Sequence, residues 1–460
     1  MKRFLTLLLT TLALTAVLCV SASASDFDAV AEDLSAIGMF RGTGASFELD
    51  RAPTRAEAAI MLVRLYGAEE EATADYAAGK IQHPFKDVPS FAAPHVAWLY
   101  EKELTKGMSA DTFGSTGACS AQNYATFLLR ALGYKDGVDF EYSGALAYAG
   151  EKGFYNEMMF SGDFLRDDLA ALTCQALAAD TKEGGTYLLK SLVDSGAVSA
   201  EAAKPMTEKM ELYRTISSIS ATQGGALDMA LKAKMDITMA YGGITETTAT
   251  NMEGSIAMKK TDDDIQMAYE MAIKANGLDM DMGIWMKDGW MYLSMSNGTN
   301  TQKVKSYLGD MEAMLEELGG LEISEMTGVD VSGLAAIKSL TAEKSGSDTV
   351  YTMVVSGSLG GMMDTVMSLV GQETEGMNIG EISVAQTVSR SGELKEIRLL
   401  FSMSMKMALP DETGTMIPIT ADYDYDITMG INAMGKDVKI SFPSFSGFVE
   451  IDPSQMEAIA

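Results

Sequence analysis

The sequence has 460 residues, of which 64 are acidic (Asp or Glu) and 35 are Lys or Arg, so its formal charge is −29. This balance argues against nucleic acid as a partner, because phosphate binding needs a basic surface. The chain has two His and three Cys, and neither type occurs after Gln175. Ser-His, Cys-His and histidine-zinc chemistry is therefore excluded from more than half of the protein. The length predicts two or three domains.

The N-terminus has the pattern of a secretory signal peptide, which we predict over residues 1–24. Two basic residues precede the apolar stretch Phe4–Val20, and residues 22–24 (Ala-Ser-Ala) form a small-residue cleavage site before Ser25. An uncleaved membrane anchor is the alternative, although the stretch is short for a span. After cleavage we expect an exported protein with no further membrane-spanning segment.

Two thiols remain after the predicted cleavage, Cys119 and Cys174. An exported protein could join them in one disulfide. Because free cysteines are commonly buried as small apolar side chains, two buried thiols are the favoured interpretation.

A motif recurs three times within residues 25–199. The segment Pro53–Gly67 aligns without gaps on Cys119–Gly133, with apolar residues at helical spacing, and a weaker third copy begins at Phe164. Each copy predicts a helix, a glycine-rich turn and a capped second helix. Because such helix pairs cannot bury their apolar faces alone, we expect an all-α domain in which the copies pack on one another. The predicted helices are Val30–Ile37 and Arg55–Tyr66 in copy one, and His95–Leu104 and Ala121–Leu132 in copy two.

These repeats resemble the S-layer homology (SLH) domain over roughly Asp26–Ser199. Copy two carries the family's opening motif at residues 85–89 (F-K-D-V-P), followed by Trp98 and by a turn over Gly107–Phe113. Copy one carries the T-R-A-E signature at residues 54–57. The resemblance implies a helical prism whose inter-repeat grooves bind secondary cell-wall polysaccharide, an anionic polymer that often bears pyruvylated sugars.

Carried over by register, the resemblance implies a polysaccharide-binding set of Arg55, Glu57, Trp98 and Arg166. A guanidinium group binds an anionic sugar through charge-assisted hydrogen bonds, and an indole offers a flat apolar surface to a pyranose ring. A structural role stays open for both arginines, and for Trp98 as a core aromatic. Copy two has Ala121 where the motif arginine belongs, and copy one lacks the opening aromatic. We therefore expect at most two competent grooves.

After Ser199 the hydrophobic pattern changes from a period of 3.6 to a period of 2. Residues 200–224 predict a linker helix, and residues 225–453 predict an α+β domain with a large antiparallel sheet. Met267–Ile273, with apolar residues at every second position, is typical of its strands. Helices are expected to interrupt and cover the sheet over Lys303–Leu318, Val331–Leu340 and Gly361–Val370.

Methionine is concentrated in this second domain, where 27 of the 35 Met lie after residue 210. Three interpretations stay open: a flexible apolar core, an adaptable cavity that holds a hydrophobic ligand, and a thioether site for Cu(I). The lack of His and Cys nearby disfavours copper, so we predict no metal site. Asp422, Asp424 and Asp426 alternate along one strand face, which favours a solvated face over a calcium site.

The order of strands and covering helices, with the closing segment Asp437–Pro443, resembles the LolA/LppX-like extracytoplasmic lipoprotein-carrier fold. The resemblance covers about Leu212–Asp452. It implies a curved half-barrel sheet around helices that holds lipids or lipoproteins, and it identifies no individual ligand residue.

Together these patterns predict a secreted protein of a Gram-positive-type cell wall, with no catalytic residue and no cofactor. The SLH-like domain would anchor it to wall polysaccharide, and the Met-rich domain would bind a hydrophobic or lipid-like ligand. Two alternatives stay open. A purely structural surface-layer protein predicts a filled core, and an enzyme predicts a cleft with two facing carboxylates.

Overall fold

The computed structural model describes residues 27–42, 46–156, 160, 163–220, 226–241, 244–260, 265–275, 277–309, 331–355, 377–410 and 416–452. The chain forms two compact units. The helical unit contains the described residues of Ser21–Tyr213 together with Val331–Ala336, and the sheet unit those of Arg214–Asp330 and Ile337–Ala460. The predicted multidomain class, helical repeats followed by an α+β domain with a large antiparallel sheet, is confirmed. The predicted signal peptide lies outside the described residues.

The first unit is helical, and the helices predicted for copies one and two are confirmed, with ends that differ by three residues or fewer. Side-chain caps explain where the second helix of each of these copies begins. Thr54 Oγ1 accepts a hydrogen bond from Glu57 N (3.2 Å), and Ser120 Oγ accepts one from Asn123 N (3.2 Å). The helices are α1 Asp28–Ala36, α2 Arg55–Leu65, α3 Glu69–Ala77, α4 Ala93–Glu101, α5 Ala121–Ala131, α6 Ala145–Glu151, α7 Arg166–Ala178, α8 Leu188–Asp194 and α9 Ala200–Ser220, with 3-10 helices at Tyr142–Gly144 and Val331–Ala336.

The three copies contact one another in a cycle, because the start of each second helix docks on another copy. In α2, Arg55 N donates to Gly117 O of copy two (2.8 Å). In α7, Arg166 N donates to Arg51 O of copy one (2.9 Å). In α5, Gln122 Nε2 donates to the backbone oxygen of Tyr142, ahead of α6 in copy three (2.6 Å). These three contacts, two between backbone groups and one from a side-chain amide, join the copies into one unit.

Helix α7 is the centre of the helical unit, because all 13 of its residues are buried. It contacts α1, α5, α8 and the 3-10 helix Val331–Ala336. The last of these comes from the second half of the chain and buries Leu334 in the helical unit. The third copy, which is the weakest in sequence, therefore supplies the central helix of the unit.

The sheet unit is one 13-stranded sheet, in the order β13-β6-β5-β4-β3-β2-β1-β12-β11-β10-β8-β7, with β9 paired to β11. Every pairing is antiparallel except β13 with β6. The strands are β1 Ala226–Tyr241, β2 Ile244–Lys260, β3 Ile265–Ala275, β4 Leu278–Lys287, β5 Trp290–Ser296, β6 Thr301–Tyr307, β7 Ile337–Ser345, β8 Asp348–Val355, β9 Met377–Ile379, β10 Ile382–Val388, β11 Leu394–Pro410, β12 Met416–Met434 and β13 Val449–Glu450, with a 3-10 helix at Gly435–Asp437.

For two of the helices predicted to interrupt the sheet, the prediction is wrong over the residues that the structure describes. The start of the predicted helix Lys303–Leu318 is strand β6, in which Val304 and Ser306 are buried and pair with β5. The predicted helix Val331–Leu340 is a 3-10 helix that ends at Ala336, followed by strand β7. Pairing with an existing strand edge outweighs the weak local helical pattern in both places. The rest of the first helix and the predicted Gly361–Val370 lie outside the described residues.

The two faces of the sheet differ sharply in chemistry. On one face the register places Met271, Met282 and Met295 side by side, and Ala233 between Met252 and Ile427. The opposite face carries charged and hydroxyl side chains on β11 and β12, such as Asp426 with Arg398 and Asp424 with Ser402, and an aromatic cluster on β4 and β5, where Trp285 and Tyr292 contact Phe445 and Phe448. We call it the polar face. Because side chains alternate along each strand, these methionines share one face. We call this methionine-rich surface the apolar face.

Both cysteines of the described chain, Cys119 and Cys174, are free and buried. Burial raises the pKa of Cys119 to about 12 and that of Cys174 to about 11. The favoured interpretation, two buried apolar thiols, is confirmed.

Candidate functional site

A groove of about 630 Å³ lies between the repeats of the helical unit. Copy one contributes Arg55 and Tyr66, copy two contributes the ends of α4 and α5, and Tyr142 closes it from copy three. Its polar and aromatic lining includes Arg55, Tyr66, Glu103, Thr105, Lys106, Asn123, Arg130, Tyr134, Lys135, Asp136 and Tyr142.

Arg55 is held at the groove by its backbone, while its side chain is left available. It is the first residue of α2, and its guanidinium lies 5.0 Å from the ring centroid of Phe113. Its Nε is buried and has no hydrogen-bond partner among the residues that the structure describes. Arg55 also lines the groove, so its guanidinium can donate charge-assisted hydrogen bonds to an acceptor bound there.

The loop under Arg55 is fixed by Asp87 of the F-K-D-V-P motif. Its carboxylate accepts hydrogen bonds from the amides of Phe113 (2.7 Å), Gly114 (2.7 Å) and Ser115 (3.0 Å). Burial acts to raise the pKa of Asp87, but these three amides hold it below its ordinary value. The motif that carries the family resemblance thus positions the surface on which Arg55 stacks.

The groove is locally cationic in a strongly acidic protein. Four cationic side chains line it, Arg55, Lys106, Arg130 and Lys135, against two carboxylates, Glu103 and Asp136. Arg130 bonds to Asp136 (3.2 Å) and to the backbone oxygen of Leu104 (2.8 Å), so part of its charge is used internally. The remaining excess of positive charge suits an anionic ligand.

Glu57 and Arg166 lie together, away from this groove. Arg166 is 3% exposed, and its guanidinium donates to Glu57 (2.8 Å) and to the backbone oxygens of Phe47 (2.9 Å) and Arg41 (3.2 Å). Glu57 also accepts two hydrogen bonds from Arg51 (2.6 and 3.0 Å). We call Arg51, Glu57 and Arg166 the buried ion network. Its groups satisfy one another and join copies one and three.

The buried ion network predicts an acid-sensitive fold. Burial acts to raise the pKa of Glu57, but hydrogen bonds from Arg51 and Thr54 and the charge of Arg166 lower it from 4.5 to about 2. A carboxylate with a lowered folded-state pKa stabilises the protein above its unfolded pKa, and the contribution is lost as the pH falls through the folded value. We expect the stability of the helical unit to fall between about pH 4.5 and 2. Urea unfolding at a series of pH values measures the free energy of unfolding. In Glu57→Gln this free energy should depend less on pH between 4.5 and 2 than in the unmodified chain. The same pH dependence in both proteins would contradict the prediction.

Trp98 lies in the core of the helical unit rather than along the groove. Its residue is 6% exposed, and its ring centroid is 5.6 Å from that of Tyr66. Tyr66 does line the groove, and its hydroxyl donates to the backbone oxygen of Arg130 (2.9 Å). Trp98 therefore supports an aromatic side chain of the groove from beneath. Of the four residues predicted for binding, Arg55 is the one that lines this groove.

Several groove residues were not predicted from the sequence, notably Lys106, Lys135, Tyr134 and Arg130. For Arg130 a signal was present, since it coincides with Arg64 in the repeat alignment. Tyr134 and Lys135 follow α5, and Lys106 lies in the connection between α4 and α5, where no periodic pattern marks them. Their approach to Arg55 depends on how copy one packs on copy two.

On the polar face of the sheet, the three aspartates of β12 are partnered by β11. Asp426 pairs with Arg398 (2.8 Å), Asp424 accepts from Ser402 (2.5 Å), and Asp422 accepts from Ser404. No group of His, Cys, Asp or Glu in the described ranges is arranged to hold a metal ion. These contacts fit the interpretation of a solvated face.

On the neighbouring strands β1, β12 and β11, part of the apolar face is exposed to solvent. Phe401 stacks on Tyr425 with ring centroids 4.5 Å apart, and the register places Met403 beside Tyr423. These side chains are half-buried, and Met239 on β1 is 44% exposed. Thioethers beside parallel aromatic rings form an adaptable apolar surface. We call this part of the apolar face the apolar patch; it consists of Met239, Phe401, Met403, Met405, Tyr423 and Tyr425.

The helical unit contains a recognised family segment. Residues 84–117 match the family model of the S-layer homology domain, so the helical unit contains a segment of this family. A cell surface protein of Thermoanaerobacter kivui is 30% identical over 176 residues, which is 36% of this chain. The chain spans 22% of that relative's length.

Two solved structures match about half of this chain at low similarity. One is a DUF1329 family protein from Desulfovibrio piger, 11% identical, with a TM-score of 0.18; the match covers 53% of this chain and 98% of that one. The other is a LolA superfamily protein from Nitrosomonas europaea, also 11% identical, with a TM-score of 0.13, covering 50% of this chain and 96% of that one. Within the described ranges, the helices are too short or too polar to cross a lipid bilayer.

Proposed function

We propose that the helical unit anchors the protein non-covalently to an anionic secondary cell-wall polysaccharide, and that the groove beside Arg55 is the binding site. The observation that carries the proposal is a cationic, aromatic-lined groove in a chain of charge −29. Anionic sugar substituents such as pyruvyl ketals need a local cation and a flat apolar surface. The groove supplies Arg55 and Lys106 for the first and Tyr66 and Tyr134 for the second.

Within this proposal the predicted binding residues have different tasks. Arg55 contacts the acidic group of the polymer, and Trp98 supports Tyr66 behind the groove. Glu57 and Arg166 hold copies one and three in register, so that the repeats keep the shape the groove requires. The protein is secreted through its signal peptide and retained on a Gram-positive-type wall. It acts by binding, with no catalytic step and no cofactor.

Sedimentation with cell-wall sacculi tests the anchoring proposal. The full mature chain is mixed with sacculi that carry pyruvylated wall polysaccharide, and with the same sacculi after hydrofluoric acid has removed the polysaccharide. We expect the protein to pellet with the first and to stay in solution with the second. Equal pelleting with both would show that another wall component binds it, and no pelleting with either would leave the repeats as a scaffold only.

We further propose that the sheet unit binds a hydrophobic, lipid-like ligand at the apolar patch. The support is the partial exposure of Met239, which lies across Ala421 from Met405 on the same face as the stacked rings of Phe401 and Tyr425. Leaving thioethers and aromatic rings in water costs free energy that a bound acyl chain would recover. A purely structural surface-layer protein could bury such a patch against a second copy, and the absence of ligand binding would favour that alternative.

A pair of adjacent residues on β11 tests the apolar patch. Met405 lies on the apolar face and Lys406 on the polar face. The fatty acid cis-parinaric acid, which fluoresces when it enters an apolar site, serves as the probe. We expect Met405→Glu to weaken its binding about tenfold or more, because a charge on the patch must be desolvated, and Lys406→Glu to leave it unchanged. Equal effects, or no fluorescence with the unmodified chain, would contradict the proposal.

A further inference from the structure

Four aromatic side chains form a continuous series on the helical unit, outside the lining of the groove. Ring centroids are 6.4 Å apart for Tyr76 and His83, 5.8 Å for His83 and Phe85, and 5.5 Å for Phe85 and Tyr100. We call Tyr76, His83, Phe85 and Tyr100 the aromatic ladder. Phe85 is buried, whereas Tyr76 is 36% and Tyr100 42% exposed. The ladder is thus anchored in the core and reaches solvent at both ends.

The surroundings of the ladder are electrically balanced. Lys80 pairs with Asp75 (2.7 Å), and Lys86 pairs with Asp111 (2.8 Å). Burial lowers the pKa of His83 below its ordinary value of 6.5, which favours the neutral imidazole at neutral pH. A charged partner therefore gains little here. A neutral pyranose ring, which packs its C–H face on an aromatic ring and keeps its hydroxyls in water, suits this surface.

The ladder adjoins the groove through two short connections. Glu103, which lines the groove, donates its backbone N–H to Tyr100 O (3.1 Å). Lys106 also lines the groove, and the next residue, Gly107, lies against the ring of Phe85, where a Cβ atom would approach it to 2.3 Å. Because Phe85 is buried and Tyr100 is exposed, a sugar chain that leaves the groove at Glu103 meets the ladder at Tyr100.

We propose that the aromatic ladder is a second subsite for the wall polysaccharide, in which neutral sugar residues of the chain stack beside the charged sugar in the groove. The inference rests on the proposed anchoring function. Under this proposal the helical unit contacts several consecutive sugar residues of the polymer, rather than one acidic sugar alone. Affinity should then depend on chain length, which a single groove does not require.

Isothermal titration calorimetry of the full mature chain with two fractions of pyruvylated wall polysaccharide tests the inference. One fraction contains single repeating units and the other long chains. The double variant Tyr76→Ala/Tyr100→Ala removes both exposed rings, and Phe91→Ala, 61% exposed and outside the ladder, is the matched control. The variant Tyr76→Phe/Tyr100→Phe keeps both aromatic rings and removes only their hydroxyl groups, so it separates the loss of the rings from a general effect of mutating these two positions. Arg55→Ala reports on the groove.

The ladder inference predicts that the double alanine variant binds long chains about tenfold more weakly and single units unchanged. The phenylalanine variant and Phe91→Ala should behave as the unmodified chain. If the double alanine variant binds both fractions normally while Arg55→Ala weakens both, the ladder inference is overturned and the anchoring proposal stands. If the unmodified chain binds neither fraction, the anchoring proposal fails and the ladder inference with it.

Discussion

Replacing Arg166 by alanine is expected to lower the free energy of unfolding of the helical unit by about 3 kcal/mol, which is the scale of removing one partner from a buried ion pair. The side chain is 4% exposed and all its hydrogen bonds are internal, to Glu57 and to two backbone oxygens of copy one. Without it, those acceptors lose a charged donor in a site that is largely closed to water. Urea unfolding of the full chain, followed by circular dichroism at 222 nm, measures the change.

The control for Arg166 is its neighbour in the same network. Arg51 also bonds to Glu57, but its side chain is 36% exposed, so Arg51→Ala should cost about 1 kcal/mol or less. The double variant Glu57→Gln/Arg166→Met removes both charges and should be less destabilised than the sum of the two single variants, because they share an interaction. If Arg166→Ala keeps normal stability but no longer pellets with sacculi, Arg166 is a wall contact, as the family register implies.

The start of α2 could be predicted from sequence because its determinants are local. Thr54 and Glu57 are three residues apart, and both halves of the capping box form. The partners of Arg166 could not be predicted in this way. Glu57 lies 109 residues away and Arg41 lies 125 residues away along the chain. Only the cyclic packing of the copies brings these groups together, so one motif arginine lines the groove and the other lies in the core.

The apolar alternation of the second half was enough to predict a large antiparallel sheet, and the register confirms a shared face for its methionines. Strand β6 was missed because Lys303–Tyr307 has no run of apolar residues. Its buried positions are Val304 and Ser306, and the second is polar. A short strand next to the edge of the sheet, held mainly by backbone pairing, carries a weaker sequence signal than a long central one.

The groove, too, could be predicted from the sequence only in part. Arg55 could be nominated from its motif, but the charge excess around it depends on Lys106 and Lys135, which no motif marks. The whole-chain charge of −29 argues against anionic partners, whereas the packing of copies one and two concentrates cations in one place. Local electrostatics therefore outweigh net charge in deciding what this groove attracts.

Arg55→Ala is expected to weaken binding to pyruvylated wall polysaccharide about 10- to 100-fold, because a hydrogen bond to a charged group contributes about 1.5–3 kcal/mol. Its stability should change little, since its side chain contacts Phe113 through a cation–π interaction worth about 0.5–1 kcal/mol. Arg55→Lys keeps the charge but loses the planar pair of donors, so it should retain part of the affinity. Titration calorimetry with the purified polysaccharide measures all three proteins.

The matched control for Arg55 is Arg41, whose side chain is 58% exposed and pairs with Glu69 outside the groove. Arg41→Ala removes the same charge from the same unit, so a loss of long-range attraction alone would affect both variants equally, and more strongly at low salt. Binding at a position fixed by the groove predicts a loss for Arg55→Ala that persists at 0.5 M salt, and none for Arg41→Ala. Equal losses that disappear at high salt would mean that the unit holds the wall polymer through diffuse charge rather than through Arg55.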